Sequence, residues 1–285
     1  MNHIHSASPL HERIVLLAPS SSQVPDAFAR PEVNRAQHER LLKEMQRLRG
    51  EIYLADGAIQ PWQLTADGRH RQGADERAWH VLALNQHGRV CGCLRFLQHK
   101  PGVSFQEMNV RHSALAICDR WGGRLERAVE AELRLARDSK LFYAEVGGWA
   151  IAEDRRCTSE ALRIALSTYG LAMLLGGSLG ITTATVRHGS SSILRRIGGR
   201  PLVWDGAALP PYYDPQYRCE MELLRFDSRS PEPKYSSWVA ELQEQLTLAT
   251  VICARGSSFN WRSLASPLST PVLASHHWKP VAAHP

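Results

Sequence analysis

The stretch from Phe142 to Val186 limits the folds open to this chain more than any other. Phe142–Ile151 is a short, largely apolar run of strand length. A charged turn, Asp154-Arg155-Arg156, follows it. Thr158–Leu175 is then the strongest helix pattern in the chain. Leu162, Leu166, Tyr169 and Met173 form its apolar stripe, and Gly176-Gly177 ends it. Ile181–Val186 returns as a Thr-rich strand.

The flanking segments extend this α/β pattern. Asn34–Leu48 predicts an amphipathic helix, with Leu41, Leu42, Met45 and Leu48 at helical spacing and Asn34 as N-cap. Ile59–Asp75 is polar and irregular, and predicts a loop. Trp79–Leu84 and Val90–Leu97 predict a hairpin turning at Asn85-Gln86-His87-Gly88. Leu125–Arg137 predicts a second helix. Ser190-Ser191-Ser192 can cap a short helix through Ile197, which Gly198-Gly199 stops, and Met221–Phe226 predicts the last core strand. The resulting order is helix, hairpin, helix, strand, helix, strand, helix, strand. It describes a mixed sheet with helices on both faces.

Three segments are expected: a mobile arm over 1–31, a catalytic-type domain over 32–228 and a C-terminal extension over 229–285. In the extension, Trp238–Leu248 predicts a helix and Thr250–Ala254 a strand, while Ser266–Pro285 has no periodic apolar face and is expected to be disordered. No apolar run approaches the roughly 18 residues of a membrane helix, and the N-terminus lacks the pattern of a secretory signal. The expectation is a cytoplasmic protein with no integral membrane segment. The net charge of +6, from 34 basic and 28 acidic residues, favours an anionic partner. No nucleic-acid motif accompanies it. The six cysteines form neither a C-x-x-C pair nor zinc spacing, so reduced structural thiols and no metal are expected.

The segment Glu145-Val146-Gly147-Gly148-Trp149-Ala150-Ile151, the turn Asp154-Arg155-Arg156 and the helix after it resemble the central motif of GNAT acyltransferases. His188–Gly199 resembles the next motif of that superfamily. Val90–Leu97, VCGCLRFL, resembles a strand of its autoinducer synthase and N-acyl amino acid synthase branch, as do Arg49 and Tyr53 in R-x-x-x-Y. The resemblance implies a GNAT-like, mostly antiparallel central sheet, in which two neighbouring parallel strands splay apart to expose backbone N–H groups. It also implies transfer of an acyl group, possibly long-chain, from a coenzyme A or acyl carrier protein thioester to a small amine such as an amino acid. No cofactor is bound permanently.

Aminolysis of a thioester needs a neutral amine, a polarised carbonyl and a stabilised thiolate. Glu145 is the expected base, its pKa raised by burial amid Tyr143, Val146 and Trp149. His188 is a candidate proton shuttle, with a capping or exposed histidine as the alternative. Arg95 is expected to hold an acceptor carboxylate or else to face solvent. Arg49, Gly147, Gly148 and Trp149 complete the expected substrate site. Arg155, Arg156, Cys157 and Thr158 form the expected phosphate turn, although the usual glycines are missing there. Gly148 stands where the autoinducer synthases carry an arginine, and Leu194 where many GNAT enzymes carry a tyrosine acid. A non-catalytic thioester-binding protein on a degenerate scaffold is the alternative function.

Overall fold

A computed structural model describes residues 13–20, 23–156 and 158–255. The strands are β1 (Arg13–Leu17), β2 (Arg30–Val33), β3 (Trp79–Leu84), β4 (Val90–Gln98), β5 (Phe142–Ile151), β6 (Ser178–Thr185), β7 (Arg200–Pro201), β8 (Val203–Trp204), β9 (Ala207–Ala208), β10 (Tyr212–Asp214), β11 (Cys219–Asp227) and β12 (Thr250–Cys253). The helices are α1 (Arg35–Ala55), α2 (Gly122–Asp138), α3 (Ser159–Leu174), α4 (Ser190–Arg196) and α5 (Ser236–Leu248). One sheet runs in the order β10-β11-β6-β5-β4-β3-β1-β12-β2, with β7 added on β11. Most neighbours are antiparallel; β5–β6, β1–β12 and β12–β2 are parallel.

Period-two alternation distributes the apolar residues between two faces. Val15, Leu17, Leu82 and Cys93 join Leu41 and Met45 of α1 on one face. Farther along the sheet, Tyr143, Leu179 and Ile181 pack with Leu125, Val129 and Leu133 of α2. Ile14, Leu16, Val81 and Ala144 point the other way, onto Ile164 and Leu166 of α3 and Leu242 of α5. The mixed α/β sheet with helices on both faces is the architecture expected from the sequence. No described helix is long and apolar enough to cross a membrane.

Two expectations at the chain ends are corrected. Arg13–Leu17 is no part of a mobile arm: it pairs antiparallel with β3 and parallel with β12, with Val15, Leu16 and Leu17 fully buried. Likewise the segment after residue 228 is integral to the sheet as far as Cys253, because β12 sits between β1 and β2 and α5 packs on α3. A strand buried on both faces is a brief continuous apolar run with no alternation to betray it. The expected disorder of Ser266–Pro285 lies outside the described residues.

Helix α1 runs a full seven residues past its expected end at Leu48, and the extension carries the most buried charge in the molecule. Arg49 is completely buried. Its guanidinium meets Asp75 two-pronged, Nη1 to Oδ1 at 3.0 Å and Nη2 to Oδ2 at 2.7 Å, and also donates to the His70 carbonyl. Asp75 accepts further bonds from Gln46 Nε2 at 3.0 Å, the Gln72 N–H at 3.0 Å and Arg95 Nη1 at 3.2 Å. Burial alone would raise the Asp75 pKa. The hydrogen bonds and charge of Arg49, with help from His80 and Arg95, outweigh it and hold the carboxyl below its ordinary value. The polar loop before β3 is thus tied to α1 and β4.

Two measurements probe this arrangement. Leu16→Ala should lower unfolding free energy by about 2–5 kcal/mol, read from urea denaturation, because it opens a cavity in a strand buried on both faces; a mobile arm would give no change. His70 and His80 are buried with pKa lowered to about 4, chiefly by desolvation. Between pH 6.5 and 4 the unfolded chain therefore takes up protons that the folded one refuses. Stability is full above about pH 6.5 and falls toward pH 4, by up to about 1.4 kcal/mol per pH unit for each histidine. Urea midpoints across this range should show the slope, and His80→Gln should reduce it.

Candidate functional site

The cavity grows out of a break between two strands. β5 and β6 pair in parallel from Phe142 opposite Ser178 to Val146 opposite Thr182, and there the ladder ends. Beyond this point β5 stays on β4 and β6 stays on β11. The β6-facing edge of β5 from Gly147 onward thus has main-chain groups with no strand to pair with. A register shift opposite Cys93 and Arg95 accompanies the parting, and Gly148 adopts φ +63°. That left-handed conformation favours glycine, and a Cβ there would stand 3.2 Å from Arg49 Nη1. A cavity of about 950 Å³ fills the opening. The end of α1, the start of α3, the β5 and β6 strands and the β10–β11 hairpin wall it.

Arg95 on β4 lines this cavity. Its Nη1 is occupied, donating to Gln72 Oε1 and to Asp75. The Nε is buried without a partner, and Nη2 lies 3.6 Å from where a Cβ on Gly147 would stand. No hydrogen bond to a described residue uses Nη2. The fork formed by Nε and Nη2 is the edge of a guanidinium that grips a carboxylate with two parallel bonds. Gly147, Gly148 and Trp149 line the cavity as expected; the Trp149 carbonyl accepts from the Tyr53 hydroxyl at 3.3 Å, and its indole N–H is buried without a partner.

Arg49 is corrected: it does not line the cavity. It lies beneath Gly148, wholly buried and committed to Asp75, so it positions Arg95 indirectly and cannot reach a ligand.

The expected basicity of Glu145 is also corrected. Its carboxylate faces the cavity wall, but both oxygens are taken. Oε1 accepts from the Val110 N–H at 2.8 Å. Oε2 accepts from the Asn109 N–H at 2.9 Å, from Asn109 Nδ2 at 2.7 Å and from His99 Nε2 at 3.0 Å. Burial works to raise its pKa, as expected from the sequence, but these donors, His99 first, prevail and the pKa is lowered. Glu145 pins the turn Asn109–His112, which forms the rim of the cavity.

At the phosphate turn the residues divide. Thr158 caps α3 by accepting the Glu160 N–H at 3.1 Å and lines the cavity beside Ser159. Arg156 also lines it, with Nη2 3.0 Å from both oxygens of Asp56. Arg155 is not among the residues lining the cavity and pairs with Asp154 at 3.1 Å. Cys157 lies outside the described residues. So does the side chain of His188, whose backbone belongs to the turn Arg187–Gly189.

The sequence reading missed Arg187, Arg196, Tyr212, Asp214 and Tyr217, all of which line the cavity. Arg187 Nη2 donates to the carbonyls of Asp56 at 3.1 Å and Tyr217 at 3.3 Å, which joins α1 to the β10–β11 hairpin. The turn signal Asp214-Pro215 was available in the sequence as a hairpin marker.

No family model matches this chain, and no curated protein matches it. Solved structures do. A CoA-dependent acyl-homoserine lactone synthase, BjaI, seen with SAM and isopentyl-CoA, is 16% identical, with 85% of this chain and 92% of that one covered and a TM-score of 0.49. FeeM, an N-acyl amino acid synthase from uncultured soil microbes, is 15% identical, with 71% and 95% covered and a TM-score of 0.43. Escherichia coli ElaA is 10% identical, with 75% and 98% covered and a TM-score of 0.44. At these identities the likeness concerns the fold alone. These structures include the acyl-homoserine lactone synthase and N-acyl amino acid synthase branch that the motifs of this chain resemble.

Proposed function

We propose that this chain is an N-acyltransferase, moving an acyl group from a thioester to a small amine that carries a carboxylate, as an amino acid does. The observation that carries the reading is Arg95, which lines the cavity that opens at the parting of β5 and β6 and whose Nε and Nη2 make no hydrogen bond to a described residue. A buried guanidinium edge without a partner costs free energy in the free protein. A planar carboxylate relieves that cost, and fixes the amine beside the unpaired edge of β5.

The edge of β5 beyond Val146, which has no strand partner on the β6 side, is the proposed source of main-chain N–H groups for the electrophilic half of the site. They can polarise a thioester carbonyl and hold negative charge as it develops on the oxygen. Arg156, Arg187 and Arg196, with the N-terminus of α3, give the cavity a basic side suited to phosphate. Coenzyme A and the phosphopantetheine arm of an acyl carrier protein both present phosphate there, so either is the donor class. The reaction proposed is direct attack in a ternary complex, without an acyl-enzyme; burial pushes the Cys93 thiol up to about 12, which makes that cysteine a poor nucleophile.

The saturation of Glu145 favours one rival, a thioester-binding protein without catalysis. Free-thiol release decides between them. With an acyl thioester and a matched pair of acceptors, an amino acid and the amine lacking its carboxylate, the amino acid should react faster. Arg95→Met should raise the amino acid KM by at least about tenfold, consistent with loss of a charge-assisted bond worth roughly 1.5–3 kcal/mol, and leave the donor KM unchanged. It should also abolish the preference within the pair. Equal rates for the pair, or an unaltered preference in Arg95→Met, would contradict the proposed acceptor; no thiol release with any amine would favour the binding protein.

A further inference from the structure

We propose that Asp214 takes the proton from the attacking amine, a role resting on the acyl transfer just described. Three carboxylates line the cavity: Asp56, Glu145 and Asp214. Asp56 gives both oxygens to Arg156, and Glu145 gives both to the Asn109–Val110 turn and His99. Asp214 uses only Oδ1, which accepts the Gln216 N–H at 2.9 Å and the Tyr217 N–H at 3.3 Å. Its Oδ2 has no hydrogen bond, and the group has no ion pair, among the described residues. It is thus the cavity carboxylate with an oxygen to spare.

The position is also well fixed. Asp214 ends β10 opposite Cys219 of β11 and is only 7% exposed. The two N–H bonds to Oδ1 close a turn that orients the carboxylate without a cation to neutralise it. The groups around it are Tyr212 and Tyr217 from the same hairpin and Cys219 across the ladder, with Arg187 reaching the Cys219 side. Burial raises the pKa of both tyrosines and of Cys219, so all three keep their protons near neutral pH and none competes as a base. Arg95 and Asp214 line the same cavity, which therefore offers a guanidinium to the acceptor's carboxylate and a carboxylate oxygen to its ammonium.

The step balances as follows. The ammonium gives one proton to Asp214 Oδ2, leaving a neutral amine. The amine lone pair forms the N–C bond to the thioester carbonyl. The C–S bond breaks with its electron pair on sulfur, and the surplus proton on nitrogen passes to the thiolate. The products are an amide and a thiol, and Asp214 returns its proton to solvent.

The test is the pH profile of amide formation by the full chain, for wild type, Asp214→Asn, Asp214→Glu and Glu145→Gln. At neutral pH, Asp214→Asn should lose at least about 10²-fold in kcat, the scale of a missing general base. Its donor KM should stay near the wild-type value. Its rate should climb with pH as the free amine supplies itself, and an acceptor amine of low pKa, already neutral in the assay, should close most of the gap. Asp214→Glu restores a carboxylate, and should keep the acid limb of the wild-type profile even if Asp214→Asn proves unstable. A folded Asp214→Asn with the wild-type profile overturns the assignment, as does loss of the acid limb in Asp214→Glu or in Glu145→Gln alone. If wild type forms no amide at all, the acyltransferase reading falls, and this assignment with it.

Discussion

One buried carboxylate organises the working half of this molecule. Asp75 receives Arg49 two-pronged, together with Arg95, Gln46 and the Gln72 main chain. The donors come from three places: Gln46 and Arg49 from α1, Arg95 from β4 and Gln72 from the loop ahead of β3. Two guanidinium groups share one carboxylate, so a net positive charge is buried beside the cavity. Removing one partner of such a group strands the rest in a medium that solvates charge poorly, at a cost of about 3–5 kcal/mol. The arrangement also explains why Arg95 offers only one edge. Its Nη1 is spent on Asp75 and Gln72, which fixes the guanidinium plane and leaves Nε and Nη2 without a hydrogen bond to a described residue.

The sheet performs the complementary task. A parallel ladder that stops at Val146 and Thr182 leaves that edge of β5 without a strand partner beyond this point. Gly148 turns the chain at the parting, directly above Arg49, where a side chain would strain the backbone and crowd the guanidinium. The charge knot and the splay meet at this residue. Glu145, three residues before the bend, faces the other direction chemically: it consumes four donors to hold the rim at Asn109 and Val110. Its burial tells of anchorage rather than reactivity.

Much of the fold was legible because periodicity is local. The β3–β4 hairpin, β5, α3 and β6 all show their spacing within their own residues. β1 was opaque for the opposite reason, and β12, although predicted as a strand, could not be placed in the sheet, since that placement depends on two distant ends of the chain pairing. The site divided along the same line. Arg95, Gly147, Gly148 and Arg156 lay in motifs that resemble a known family, and the structure brings them to one cavity. Arg49 lay in such a motif too, yet its partner Asp75 sits in a loop with no pattern, so its burial could not be foreseen. Glu145 was misjudged because desolvation is visible in a sequence as apolar neighbours, whereas its donors, from Asn109, Val110 and His99, come from a segment far along the chain. Asp214 stood in an unremarked turn whose place beside the cavity depends on pairing with β11.

The most direct test of the account is mass spectrometry of the products formed from one acyl thioester and a mixture of amino acids. The account predicts a new mass equal to the fatty acid plus the amino acid, less the elements of water, appearing in step with free thiol. Fatty acid and thiol with no N-acyl product, or an intact thioester, would contradict it.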